Sequence, residues 1–107
     1  MGNQALIFGS GIIEIASEVQ IAPHCVIVSG NHTSENGSYS KGKLSAGPVV
    51  IGKGAWIAAN CTVAKNSILP SNSVLAANSF LNKPFEIENS IYGGVPARLI
   101  KTNKPFT

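Results

Sequence analysis

Few side chains of this sequence could carry out chemistry, and its two histidines come first. A neutral imidazole can accept a proton from a hydroxyl group near neutral pH, and His32 stands at the start of a polar segment. Two histidines cannot supply a three-histidine zinc site, so we expect no metal. Late in the chain, Lys83, Arg98 and Lys101 could donate charge-assisted hydrogen bonds to phosphate. Each of these residues alone is equally typical of an ordinary loop or surface. The secondary structure that positions them must therefore distinguish a functional role from a structural one.

The composition predicts one small folded domain spanning residues 1–107. The chain is 44% hydrophobic and 12% charged, which is too apolar for a disordered segment. Eight lysines and arginines against five glutamates give a net charge of +3, too little to indicate nucleic acid as a partner. No apolar stretch is long enough for a membrane span or a signal peptide, so we expect a cytoplasmic protein without a membrane partner. The two cysteines, Cys25 and Cys61, are predicted to be reduced and buried.

An aliphatic residue recurs at every sixth position in two runs. These are Ile15, Ile21 and Ile27, and then Ile51, Ile57, Val63, Leu69, Leu75, Leu81 and Ile87. Neither an amphipathic helix nor an alternating strand has this period. In six of the hexads the fourth position holds glycine or asparagine, the residues that most readily accept a positive φ. It is occupied by Gly30, Gly54, Asn60, Asn66, Asn72 and Asn78. Each hexad is therefore predicted to form a short strand that ends at a left-handed corner.

Three hexads make one triangular coil of 18 residues, and stacked coils pair their strands at a spacing of about 4.8 Å. Leu69 is then expected to lie over Ile51 in the next coil. The repeat is interrupted at 33–48, a polar and glycine-rich stretch that predicts a long excursion loop. After Ile87 the hexads stop, and 88–107 is predicted to form a short helical or extended cap, with Pro96 placed to begin a helical turn.

These hexads resemble those of the left-handed parallel β-helix acyltransferases, and the left hand of the coil is taken from this resemblance. Further segments are similar to the maltose, galactoside and related sugar O-acetyltransferase branch. They are Ile21-Ala22-Pro23, Gly30-Asn31-His32, Gly47-Pro48-Val49-Val50-Ile51-Gly52, Ala55-Trp56-Ile57 and Gly93-Gly94-Val95-Pro96-Ala97-Arg98. The resemblance runs from about Ile13 to Lys101. It implies an all-β chain, a left-handed parallel β-helix with one long loop after His32.

By this resemblance, His32 is the general base that deprotonates an acceptor hydroxyl for direct attack on acetyl-CoA, while backbone N–H groups stabilise the oxyanion. Trp56 lines a cleft between subunits beside the pantetheine arm. By the same resemblance, the residues that contact the rest of coenzyme A are Ala59, Ala77, Asn82, Lys83, Arg98 and Lys101. The resemblance also implies a homotrimer with active sites between subunits, and acetyl-CoA as a co-substrate with no tightly bound cofactor. The other histidine, His24, falls at a corner and is expected to be structural.

A second function class remains open from the sequence. Members of the family carry residues ahead of the first coil that help to bind the acceptor, and this chain starts within a few residues of its first repeat. The alternative is therefore a non-catalytic trimeric β-helix module, or a shortened acyltransferase relative that lacks a complete acceptor site. Binding of acetyl-CoA distinguishes the two.

Overall fold

The computed structural model describes residues 6–8, 11–33, 36–38, 42 and 44–103, and these residues form strands, turns and bends without a helix. Most strands are two or three residues long and are joined by tight corners. They stack into three sheets, which form the faces of a triangular prism. The described part of the chain thus contains no helix that is long and apolar enough to cross a membrane.

Successive coils contribute one strand to each face of the prism. Face A contains β1 (Leu6–Phe8), β4 (Val26–Val28), β9 (Thr62–Val63) and β12 (Phe80–Leu81). Face B contains β2 (Ile13–Ile15), β7 (Val49–Ile51) and β10 (Ser67–Leu69). Face C contains β3 (Gln20–Ile21), β8 (Trp56–Ile57), β11 (Val74–Leu75), β13 (Ser90–Gly94) and β14 (Ala97–Thr102). We name the corners by the faces that they join: AB, BC and CA.

The predicted 18-residue register is confirmed in the middle of the prism. Leu69 pairs with Ile51 on face B. Ile15 also pairs with Ile51 although 36 residues separate them, which is two coil lengths. The interruption between the two runs of hexads therefore leaves the stacking of the coils unchanged. Parallel pairing between the strands of successive coils confirms the predicted β-helix of hexapeptide repeats.

The interior of the prism is a column of aliphatic side chains, as the repeat predicts. Its fully enclosed members are Ile21, Ile27, Val49, Ile51, Ile57, Val63, Leu69, Leu75 and Leu81. The fifth hexad position is also interior, where Cys25, Ala55, Cys61, Ser67, Ser73 and Ser79 are buried. Burial of each large aliphatic side chain contributes about 1.5–3 kcal/mol of transfer free energy. The hydrophobic effect therefore fixes which residue of each hexad faces inward.

The corners adopt the left-handed conformation that the asparagines predict. The φ angles are 61° at Asn60, 63° at Asn66, 56° at Asn72 and 61° at Asn78. Asn60 Nδ2 donates a hydrogen bond of 2.8 Å to Asn78 Oδ1 in the next coil, so the corner side chains also link coils. Gly30 does not fit this pattern. It has no positive φ and begins a strand, because the chain leaves the prism there.

The prediction that Ile87 continues the interior column is wrong. Ile87 is 49% exposed, and the aromatic rings of Phe85 and Tyr92 occupy the end of the core instead. Pro84 bridges to Ile68, so this last coil is two residues shorter than the repeat. The shortening places Phe85 inside, where its ring centroid lies 4.3 Å from that of Tyr92.

The cap at the end of the prism is extended. Strands β13 and β14 run antiparallel, with Gly94 opposite Ala97 and Ser90 opposite Thr102. Pro96 lies in the turn between them and follows a cis peptide bond. It does not begin a helical turn, because the residues on both sides of this turn pair with each other in a strand ladder. Of the two predicted forms of the cap, the extended one is observed.

Candidate active site

His32 lies on an arm that leaves the prism at corner AB. The arm consists of β5 (Gly30–His32) and β6 (Leu44–Ala46), which pair antiparallel. Gly30 is opposite Ala46, and His32 is opposite Leu44. The backbone of His32 is therefore held by a strand ladder that starts directly after face A.

The base of the arm is closed by hydrogen bonds between coils. The N–H group of Gly47 donates to the Ser29 carbonyl at 2.9 Å, so the chain returns to the point where it left. The Ser29 hydroxyl accepts a hydrogen bond from the N–H group of Gly11 at 2.8 Å and donates to the Gly11 carbonyl at 3.1 Å. A Cβ atom on Gly47 would overlap with the side chain of Asn66, so a larger residue at this corner requires that side chain to move. These contacts fix the direction in which β5 leaves face A.

A second contact ties the arm to the prism beyond its base. Lys65 Nζ donates a hydrogen bond to Ser45 Oγ on β6. Lys65 lies at corner AB of the next coil and is partly buried. Sequence reasoning missed both residues and Ser29, because contacts between the arm and the prism have no periodic signal.

An open hollow lies beside the base of the arm. It measures about 320 Å³, and its lining is mostly apolar: Gly11, Ile12, Ala46, Gly47 and Pro48. Ala46 connects this hollow to the arm, since it pairs with Gly30 two residues before His32. A small molecule in this hollow would lie next to the strand that carries the histidine.

Trp56 lies on the opposite side of the prism, on the outer surface of face C. Its side chain is 50% exposed, as its outward position in the hexad predicts. Trp56 pairs with Gln20 on one side and Val74 on the other. Ala59 and Ala77 follow at corner CA, both exposed and 18 residues apart. Their small side chains leave the backbone of this corner open to approach.

The predicted basic residues fall into two groups. Arg98 and Lys101 are exposed on β14, at the edge of the sheet that forms face C. They therefore share the Trp56 side of the molecule. Asn82 and Lys83 are exposed at corner AB, the corner that carries the arm. Lys83 Nζ lies 5.2 Å from the centre of the Phe85 ring, a cation–π contact.

One chain does not bring all the predicted site residues together. In a triangular prism, corner AB is opposite face C, so the arm with His32 points away from the side that carries Trp56. The structure places His32, Asn82 and Lys83 at one corner. Trp56, Ala59, Ala77, Arg98 and Lys101 lie on face C and corner CA. A site that uses both groups must be shared between two molecules.

The remaining residues with potential chemistry are structural. Burial raises the pKa of the Cys61 thiol above its ordinary value of 9.0, partly offset by hydrogen bonding to the Ser79 backbone. Cys61 Sγ donates to the Ala76 carbonyl at 3.0 Å, and Cys25 is also a free and buried thiol. His24 is exposed at corner CA with a φ of 64°. Among the described residues, no three His, Cys, Asp or Glu side chains group to hold a metal ion.

Comparison with solved structures finds acetyltransferases. A maltose O-acetyltransferase from Clostridium difficile 630 superimposes with a TM-score of 0.78 and 25% identity, over 97% of this chain and 58% of that chain. A galactoside acetyltransferase in complex with coenzyme A gives a TM-score of 0.77 and 27% identity, over 84% of this chain and 44% of that chain. A hexapeptide-repeat acetyltransferase from Vibrio cholerae O1 biovar eltor, complexed with acetyl coenzyme A, gives a TM-score of 0.79. That protein is 24% identical over 97% of this chain and 60% of its own length, and this similarity supports the fold only.

The chain spans between 44% and 60% of the length of these three proteins. No family model matches it, and a search of curated proteins found no match. The similarity nevertheless extends over 97% of the chain. In its hexapeptide-repeat β-helix, the chain is thus similar to a maltose O-acetyltransferase and a galactoside acetyltransferase.

Proposed function

We propose that this chain is an acetyl-CoA-dependent O-acetyltransferase whose acceptor is a hydroxyl group of a sugar-like or other small molecule. The observation that carries the proposal is the similarity to a maltose O-acetyltransferase over 97% of the chain. The galactoside acetyltransferase, which is 27% identical, was solved with coenzyme A bound and supports the same co-substrate. The arm with His32 supplies a residue that can carry the proton in this reaction.

In the proposed reaction, His32 accepts the proton of the acceptor hydroxyl as that oxygen attacks the thioester carbonyl of acetyl-CoA. The tetrahedral intermediate carries a negative charge on the former carbonyl oxygen, which backbone N–H groups stabilise. The carbon–sulfur bond then breaks, and the departing sulfur takes the proton from the imidazolium of His32. The products are the acetyl ester and free coenzyme A, and His32 is neutral again. No covalent enzyme intermediate and no metal ion enter these steps.

The Trp56 side of the molecule is proposed to bind coenzyme A. A half-exposed indole supplies a large flat apolar surface for the pantetheine arm, and the open backbone at Ala59 and Ala77 allows close approach of that arm. Arg98 and Lys101 lie on the same sheet, exposed, and can pair with the phosphates of the nucleotide end. Asn82 and Lys83, at corner AB, are proposed to reach coenzyme A from the other side of the cleft.

We propose a homotrimer, because the arm that carries His32 and the surface that carries Trp56 lie on opposite sides of one chain. A closed ring of three chains with a head-to-tail interface sets corner AB of one subunit against face C of the next. His32 of one chain and Trp56 of its neighbour then border the same cleft, which occurs three times in the ring. Sedimentation of the protein as a stable monomer would contradict this arrangement and the shared site together.

The proposed function is tested by binding and then by catalysis. Isothermal titration of the protein with acetyl-CoA is expected to show binding, and the absence of heat at millimolar ligand would favour the non-catalytic module. Release of free thiol from acetyl-CoA is then measured with a panel of sugar and other hydroxyl acceptors. We expect turnover with at least one acceptor at a rate that increases with acceptor concentration.

A pair of histidine variants tests the general base. Removal of a positioned acid–base group lowers turnover by about 10²–10⁴-fold, and we expect a loss of this size in His32→Asn. His24→Asn is the matched control, because His24 has a φ of 64° at the remote corner CA, a conformation that asparagine also accepts. Equal turnover in the two variants would remove His32 from the mechanism.

A further inference from the structure

In the described part of the chain, the arm that carries His32 contacts the prism at its base and again at Ser45 on its second strand. Its base is closed by the hydrogen bond from the Gly47 N–H group to the Ser29 carbonyl. Its second strand is held by the hydrogen bond that Lys65 Nζ donates to Ser45 Oγ. A ribbon attached at its base alone can still swing about that base. The second contact restricts this motion, since it joins the ribbon to a different coil of the rigid prism.

The register of the β5–β6 ladder connects the contact between Lys65 and Ser45 to His32. Ser45 lies directly opposite Asn31 in the antiparallel ladder, and Asn31 immediately precedes His32. A displacement of Ser45 therefore moves the backbone that carries the imidazole. Lys65 is partly buried, and because its donor is an ammonium group, its hydrogen bond to the Ser45 hydroxyl is charge-assisted.

From this geometry we propose that Lys65 is a positioning residue for His32, acting through Ser45 and the β5–β6 ladder. The catalytic part of the proposal rests on the proposed acetyl transfer. The restraint of the arm by the hydrogen bond between Lys65 and Ser45, which we call the clamp, follows from the contacts alone. Lys65 does not touch the reacting groups in this role. Catalysis by a positioned base is sensitive to displacements of about 1 Å, so loss of the clamp is expected to lower turnover without lowering affinity for acetyl-CoA.

Two kinds of measurement on the full chain test the proposal. Hydrogen exchange, measured by mass spectrometry on peptides from 30–46, reports on the arm whether or not the protein is active. A hydrogen bond to a charged group corresponds to a change of about tenfold or more in the opening equilibrium. We therefore expect exchange in the arm to become about tenfold faster in Lys65→Met and in Ser45→Ala. Turnover number is expected to fall by a similar factor, with the KM for acetyl-CoA unchanged.

Three comparisons separate this role from general destabilisation. Lys53→Met is the matched control, because Lys53 is an exposed lysine at corner BC, away from the arm. It is expected to leave exchange and turnover at wild-type values. Lys65→Arg keeps a donor and is expected to restore turnover. The double variant of Lys65 and Ser45 is expected to be no worse than either single variant, because both lose the same interaction.

The outcomes are distinct from those of the proposed function. Wild-type exchange in the arm of Lys65→Met overturns the clamp, and faster exchange with unchanged turnover overturns the link to His32. If the wild-type protein transfers no acetyl group, the proposed function fails and the exchange rates still decide the clamp: faster exchange supports it, and unchanged exchange overturns it.

Discussion

The left-handed corners predict an unusual order of stability for variants of Asn78. This residue has a φ of 61°, its N–H group donates to the Ala59 carbonyl at 3.1 Å, and its side chain accepts the hydrogen bond from Asn60. In most exposed positions alanine is more stabilising than glycine, because glycine gives the unfolded chain more freedom. At Asn78 we expect the reverse.

The expected size of the effect follows from two contributions. An alanine held in the left-handed region costs about 1–2 kcal/mol. Loss of the exposed hydrogen bond between Asn60 and Asn78 costs about 0.5 kcal/mol more, so Asn78→Ala is expected to lower the free energy of unfolding by about 2 kcal/mol. Asn78→Gly loses the same hydrogen bond and gains unfolded-state entropy, but it has no steric cost at this φ. Its loss is expected to be about 1 kcal/mol.

Urea unfolding followed by circular dichroism measures both variants at one fixed protein concentration, because assembly would add to the apparent stability. The control is Ala16→Gly, an exposed position without a positive φ, where glycine is expected to cost about 0.5–1 kcal/mol relative to alanine. An Asn78→Ala protein as stable as Asn78→Gly would refute the reasoning, because strain at the corner would then contribute nothing to the difference.

Two further predictions concern the packing of the coils. A Cβ atom on Gly52 would lie 2.5 Å from the backbone nitrogen of Ser71, so Gly52→Ala forces two coils apart and is expected to lower the free energy of unfolding by about 1–3 kcal/mol. An unchanged urea midpoint would contradict this. The raised pKa of Cys61 predicts alkaline destabilisation, because above pH 9 the unfolded chain loses the thiol proton before the folded protein does. The contribution of Cys61 to stability should be constant below pH 9 and then fall by at most about 1.4 kcal/mol per pH unit. The slope above pH 9 should be shallower in Cys61→Ala, and equal slopes would argue against this role of Cys61. Measurements stay below pH 10, since burial also raises the pKa of Tyr92.

The middle of the fold is predictable because its determinants are local and repeated. Each hexad contains one residue that must be buried and one that must accept a positive φ, so a period of six defines strand, corner and register together. The pairing of Leu69 with Ile51 and the left-handed φ of Asn72 both follow from that period. Glu18 departs from the preference for glycine or asparagine at the corners. It adopts a φ of 63° although its side chain disfavours this conformation. The strands on either side determine its conformation.

The end of the prism and the arm are not predictable in this way. Pro84 shortens the last coil, so Phe85 replaces Ile87 in the interior, and no periodic pattern indicates a coil of changed length. The pairing of the arm and its contact with Lys65 join residues that are 12–20 positions apart in a segment without a repeat. Sequence resemblance identified His32 as a candidate, but the contacts that hold its strand come from tertiary structure alone.

The reversed direction of β14 has a consequence for the edge of face C. A stack of parallel coils has no natural length, because each new coil presents the same unpaired backbone groups to the next one. Here β14 runs against the direction of every coil strand on face C, and so it interrupts the template that a further coil, or the first coil of another molecule, would need. The hairpin of β13 and β14 is therefore expected to disfavour parallel pairing of a further coil on face C.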